Sequence, residues 1–348
     1  MSERINGIAY DSLSGEYGNI NSAFGTLPKN KTDPGIEALA SVNSSTKTFT
    51  SFDVTTLTKE NKKEEKVDYS YLDKEKFDGS SVIVYQHGLW SNKTAAQNFI
   101  KNDVSNNNDL DHPVIAMDLP KHGERSDGEE FFSTSLPDNR INMYQSFFDI
   151  SMFIKNLKMG NFDLNDNGEP GQVPEDVPAN IYFVGQSLGS ITGSVAVDNL
   201  LDRMELDKAN LTVGGANMAA LLDAAKAPQL ETLVEEFGVK KNPTPCFLPL
   251  GLMQMIQDPA DPTYLIKNNR VGGNILLQNA KGDTWVPNIS NQILAKSYGF
   301  GFQNNFQQIE DPTTRPGTIV GKWFMLGTES NWIPHGIMLN SDIDYPAA

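Results

Sequence analysis

One cysteine, four histidines and no apolar run long enough to span a bilayer define what this 348-residue chain does without. With Cys246 alone, an intramolecular disulfide is excluded, and cysteine usage leaves the redox compartment unmarked. Lys and Arg are scarce, 28 against 44 Asp and Glu, for a net charge of −16. Phosphate binding needs clustered cationic side chains, so a nucleic-acid partner is excluded. The acidic surplus bears on solubility more than chemistry, and it suits a neutral or apolar substrate over an anionic one. The N-terminal Met1-Ser2-Glu3-Arg4-Ile5-Asn6-Gly7 has no apolar signal-peptide core. A cytoplasmic protein reads this way, and so does a mature secreted form.

The remaining composition, 39% hydrophobic and 21% charged, fits one large globular enzyme domain. Residues 1–46 are rich in Ser, Asn, Gly and Thr and read as an irregular arm. Residues 47–57 alternate and read as a strand, 59–66 as a charged hairpin tip, and 67–72 as the partner strand. From residue 80, short apolar runs (81–85, 113–117, 181–184, 211–213, 274–277 and 323–326) alternate with longer amphipathic stretches (94–102, 142–158, 191–204 and 290–298). Continuous apolar strands are what a parallel sheet covered on both faces requires. The rhythm predicts a mostly parallel, doubly wound α/β fold over 47–348. Between about 220 and 268 the rhythm stops. Helical patterns at 221–237 and 247–256 predict a helical cap over the C-terminal edge of the sheet.

The apolar run 181–184 leads into Gly185-Gln186-Ser187-Leu188-Gly189, a G-x-S-x-G between a predicted strand and a predicted helix. That context marks a nucleophile elbow, with Ser187 presented on a strained turn. A serine hydroxyl needs a base. His87 and His122 precede the elbow, and His112 sits in an Asp-His-Pro turn read as exposed. His335 follows the last predicted strand, where this fold order of Ser, acid, His places the base. Asp283 follows the run 274–277 on a loop and fits the acid, with a helix N-cap as its plainer reading. Asp258 and Asp261, in the cap, fit less well. Leu188 and Leu89 supply the expected oxyanion N–H groups, and His87 is expected to hold the Leu89 loop in shape. Trp90, Gln186, Trp285 and Met253 are expected to line the substrate cleft. The Met-rich stretch 250–256 suits a buried helix and an acyl wall alike. Such a site calls on no metal and no cofactor.

Several of these pieces belong together in one family. The motifs Gln86-His87-Gly88, Asp118-Leu119-Pro120-Lys121-His122-Gly123-Glu124-Arg125, Asp138-Asn139-Arg140, the elbow, Asp258-Pro259-Ala260-Asp261-Pro262 and Gly282-Asp283-Thr284-Trp285-Val286-Pro287-Asn288 resemble the bacterial extracellular, virulence-factor lipases over residues 80–340. The resemblance implies an α/β-hydrolase fold, hydrolysis of lipid-like esters with transient contact to a lipid interface, and a secreted or cell-envelope location. That family carries a signal peptide and a longer N-terminal region, which this sequence does not display. Phospholipase, thioesterase and polyesterase activities use the same triad, so they stay open, as does a non-catalytic binding module. Ser187 argues against dehalogenases and epoxide hydrolases, which use an aspartate there. Asp163-Leu164-Asn165-Asp166-Asn167-Gly168 matches half a calcium loop, but Pro174 stands where the bidentate Glu belongs, so a bare turn is expected.

Overall fold

The structure is a computed structural model, described at residues 42–43, 46–55, 63–105, 110–166, 176–202, 205–237, 247–266, 274–280, 282–300, 322–326 and 335. Its centre is a nine-stranded sheet in the order β1-β2-β3-β5-β4-β6-β7-β8-β9. The strands are β1 (Val42–Asn43), β2 (Thr48–Phe52), β3 (Glu64–Leu72), β4 (Ser81–Gln86), β5 (Val114–Met117), β6 (Asn180–Gln186), β7 (Lys208–Thr212), β8 (Ile275–Ala280) and β9 (Lys322–Leu326). β1, β2 and β3 pair antiparallel, β3 joins β5 antiparallel, and the rest pair parallel. A parallel sheet whose chain crosses back once, preceded by strands paired antiparallel, is the α/β-hydrolase arrangement.

The burial follows from that position. All six residues of β4 and all four of β5 are buried, because helices cover both faces there. On one face lie α2 (Leu136–Lys158) and α3 (Leu188–Asp202), which pack on each other. An aromatic group of Phe49, Tyr69, Phe153 and Phe162 fills the space beneath, with edge-on contacts of 5.0 to 6.1 Å. On the other face α1 (Ala95–Ser105) stacks Phe99 on Tyr85.

Several sequence expectations are corrected. The charged run 59–66 is not all hairpin tip: Glu64, Glu65 and Lys66 pair with Phe52, Ser51 and Thr50. Its first residues, 59–62, lie outside the described residues. β3 tolerates the charges because Glu65 meets Arg125. Part of the arm, Val42–Asn43, is a strand against β2; residues 1–41 lie outside the described residues. The stretch 221–237 is two helices, α4 (Met218–Ala224) and α5 (Pro228–Glu236). Pro228 has no N–H to continue the first helix and starts the second. The cap continues with α6 (Phe247–Gln257), a 3-10 turn at Asp258–Ala260 and α7 (Pro262–Leu265), and α8 (Asn288–Ser297) follows β8. His112 is half-buried rather than exposed, and its ring packs on Tyr182. Asp166 of the calcium-like segment forms an ion pair with Lys74, and residues 167–175 lie outside the described residues. Among the described residues no helix is long and apolar enough to cross a membrane.

Candidate active site

Ser187 stands between β6 and α3 with φ +53°, a left-handed conformation unusual for a residue with a side chain. The strain, about 1–3 kcal/mol for such a residue, is held by its surroundings. The Ser187 N–H donates to Thr212 O at 2.9 Å. Ser190 Oγ donates toward both Gly185 O, at 2.5 Å, and Thr212 O, at 2.8 Å. The two elbow glycines are required by space. A Cβ on Gly189 would stand 2.3 Å from Gln86 O, and one on Gly185 would stand 2.7 Å from Gly189 O.

The structure brings Ser187, His335 and Asp283 into one hydrogen-bonded chain. Ser187 Oγ lies 2.6 Å from His335 Nε2, and His335 Nδ1 lies 2.6 Å from Asp283 Oδ2. A carboxylate only accepts, so Nδ1 carries the proton and Nε2 is free to accept the serine O–H. Such a chain can draw the proton from Ser187 and store it on the imidazole beside a negative charge. The Asp283 side chain is fully buried. Its other oxygen accepts the N–H groups of Trp285 and Val286 at 2.8 and 3.1 Å. The N-cap of α8 is Pro287, so Asp283 does not cap that helix. Gly282 begins the turn with φ +74°, and Asn288 closes it, accepting the Gly282 N–H and donating to Ala280 O. Asp258 and Asp261 do not join this chain. Asp261 caps α7 and accepts the N–H groups of Asn217 and Met218, and Gln254 links it to Asp258.

Leu89 follows β4, and Leu188 is the first residue of α3. No acceptor among the described residues takes either N–H. The Leu89 loop sits against the elbow, since a Cβ on Gly88 would lie 3.0 Å from Ser187 Cβ. His87, fully buried, holds that loop from below. Its Nδ1 donates to Gly88 O at 2.8 Å, and its Nε2 accepts the Leu119 N–H at 3.1 Å. Burial lowers its pKa to about 4, so the ring stays neutral and can do both. His122 lies 5.1 Å away, donates to Pro120 O, and is also shifted down by burial.

Beneath this pair lie Asp118, Glu124 and Arg125 of the D-L-P-K-H-G-E-R motif, with partners from elsewhere in the chain. Asp118 accepts the Lys93 N–H at 2.6 Å, the Lys93 ammonium at 3.1 Å and the Glu124 N–H at 3.1 Å. Arg125 donates to Asp118 O and forms ion pairs with Asp149 and Glu65, each at 2.7 Å. Ser51 and Gln145 complete the Asp149 shell. Only the D-L-P-K-H-G-E-R motif signals these residues in the sequence, since their partners are distant along the chain.

Above Ser187 opens a cavity of about 240 Å³. Trp90, Gln186, Trp285 and Met253 all line it, with Leu89, Leu188 and His335. Leu222, Leu230, Leu233 and Phe237 from α4, α5 and the residue that follows give it an aliphatic and aromatic wall. Among the described residues no group of His, Cys, Asp and Glu is placed to hold a metal ion.

No family model matches the chain, and no curated protein matches it. Solved structures similar to it include acetyl xylan esterase 1 from Thermoanaerobacterium sp. JW/SL YS485, at 13% identity and a TM-score of 0.49, covering 84% of this chain and 87% of that one. Another is the Pyrococcus furiosus esterase Pf2001, at 15% identity and a TM-score of 0.39, covering 78% and 83%. A third is mouse alpha/beta hydrolase domain-containing protein 10, at 14% identity and a TM-score of 0.41, covering 78% and 86%.

Proposed function

We propose that the chain is a serine hydrolase that cleaves carboxylic esters through an acyl-enzyme. The observation that carries this reading is the chain Ser187–His335–Asp283 at the floor of an apolar cavity. His335 Nε2 takes the Ser187 proton as Oγ attacks the ester carbonyl carbon. Asp283 fixes the tautomer and stabilises the imidazolium. The carbonyl oxygen becomes an oxyanion held by the Leu89 and Leu188 N–H groups, and the N-terminus of α3 favours its charge. Collapse of the tetrahedral species breaks the bond to the alcohol oxygen, which receives the proton from His335. Water then attacks the acyl-enzyme, giving its proton to His335, and Ser187 is reprotonated as the acid leaves. Side chains and water complete the cycle.

The motif resemblance and the apolar cavity favour lipid-like esters. Helix α6 adds support: Met253 lines the cavity, while Leu252, Met255 and Ile256 on the other side are exposed and the helix carries no charge. An uncharged apolar ridge beside an apolar cavity suits transient contact with a lipid interface. By resemblance, the protein works outside the cytoplasm or in the cell envelope.

Ser187→Ala tests the reading. It is expected to abolish hydrolysis of a short chromogenic ester and labelling by a fluorophosphonate, with the circular dichroism spectrum unchanged. Full activity in the variant would refute the nucleophile. Failure of the wild-type chain to label would favour a binding module.

A further inference from the structure

Aliphatic side chains, Leu222, Leu230 and Met253 among them, line the cavity, and so do the indoles of Trp90 and Trp285. Trp285 lies over the His335 ring, with centroids 6.1 Å apart and planes 26° from parallel. Trp90 meets Trp285 edge to face at 5.3 Å. His335 determines which part of an ester meets which wall. Its Nε2 delivers a proton to the departing alcohol oxygen, so the alcohol lies on the His335 side. The acyl chain, across the carbonyl carbon, is left the rest of the lining.

Trp90 is the unexplained member. Its φ is +57°, a conformation that bulky residues seldom adopt, and yet its side chain is 51% exposed. Burial therefore does not account for the strain. The indole is nevertheless held, because Nε1 donates to Glu130 Oε2 at 3.1 Å and the ring rests on Trp285. The residue directly follows Leu89, the proposed oxyanion donor, so the strained turn places donor and indole together at the cavity mouth.

We propose that Trp90 and Trp285 form a leaving-group subsite, and that it takes esters whose alcohol carries an aromatic ring one carbon from the ester oxygen. The proposal rests on the ester-hydrolase reading of Ser187. A ring in that position gains edge-to-face or offset contact with the two indoles. Glu130 beside Trp90, on a chain of net charge −16, disfavours an anionic alcohol there.

Benzyl and cyclohexylmethyl esters of one acid test this, since they match in size and differ in the π face. kcat/KM is expected to favour the benzyl ester by about threefold to tenfold, the span of one aromatic contact. Trp90→Asn tolerates the positive φ while removing the ring, and it should bring the ratio towards unity. Trp90→Phe should restore most of it. Equal rates for the two esters, or an unchanged ratio in Trp90→Asn, would overturn the proposal. Saturation-transfer NMR with benzyl alcohol on the Ser187→Ala protein reads the subsite without turnover. A signal that Trp90→Asn weakens supports it, and no signal overturns it. If that NMR signal is present while no ester is hydrolysed in a Ser187-dependent way, the ester-hydrolase reading fails and the aromatic subsite stands.

Discussion

His87 offers a separation of orientation from stability at the oxyanion loop. The Gly88 carbonyl and the Leu89 N–H belong to one planar trans peptide, so they point in opposite directions. Pinning Gly88 O on His87 Nδ1 at 2.8 Å therefore turns the Leu89 N–H toward the cavity. His87 Nε2 serves a different partner, the Leu119 N–H at 3.1 Å. Asn in place of His presents an amide N–H near the Nδ1 position, whereas Gln reaches the Nε2 position. His87→Asn should then keep the Gly88 contact and lose the Leu119 one, and His87→Gln the reverse. Each variant leaves one buried backbone group unsatisfied, so both should lose about 1–3 kcal/mol of stability. Only His87→Gln frees the Leu89 peptide. Deleting an oxyanion donor costs on the order of 10² to 10³ in kcat, and a loosened donor should cost about tenfold to a hundredfold. The donor acts on charge that develops in the transition state, so KM should stay near the wild-type value. Steady-state kinetics on a short ester, beside chemical denaturation, read both effects. Equal losses of kcat in the two variants, tracking their stability, would refute the orientation argument. So would a larger loss in His87→Asn.

Two further outcomes follow from the packing. Arg125→Met removes the cation from Asp149, whose side chain is fully buried, and should destabilise the protein by about 3–5 kcal/mol. A loss below about 1 kcal/mol in denaturant unfolding would show that Asp149 is satisfied without it. Leu233→Trp places an indole in the wall of a cavity of about 240 Å³. It should lower kcat/KM for long acyl esters relative to acetyl esters by at least about tenfold, through the overpacking that such insertions cause. An unchanged chain-length profile would place the acyl group elsewhere.

What the sequence disclosed depends on how local the cause is. β4, β5 and β6 are legible because burial on both faces leaves uninterrupted apolar runs, and the elbow because its close packing demands glycines within two residues of Ser187. His335 and Asp283 were reached from strand order, and the structure brings both within 2.6 Å contacts of the chain that begins at Ser187. β7 was less legible. Two of its first three residues, Lys208 and Asn210, are polar, and the strand is held by cross-strand contacts such as Asn210 Nδ2 to Gln278 Oε1 at 3.0 Å. Of the Arg125 network, only the motif holding Asp118, Glu124 and Arg125 was legible, and the partners were not. Arg125 meets residues 60 and 24 positions away, and a partner at that distance leaves no periodicity to read.

The same long-range bonding joins the cap to the acid loop. The N–H groups of Lys226 and Ala227, at the break between α4 and α5, donate to Thr284 O at 2.8 and 3.0 Å. Thr284 is the neighbour of Asp283. From the other side, Ser290 and Asn291 of α8 donate to Ala216 O and Gly214 O, and Asp261 holds the N-terminus of α4. The break that Pro228 imposes is thus a mooring point rather than an interruption, because it exposes two N–H groups that a continuous helix would have used itself. A substrate that spread the aliphatic wall would pull on Thr284, and through it on the carboxylate that orients His335. Under the proposed function, fit of the acyl chain and alignment of the proton relay are therefore expected to be coupled through Thr284. A poorly fitting acyl group should lower kcat as well as raise KM, whereas a wall free of the acid loop would change KM alone.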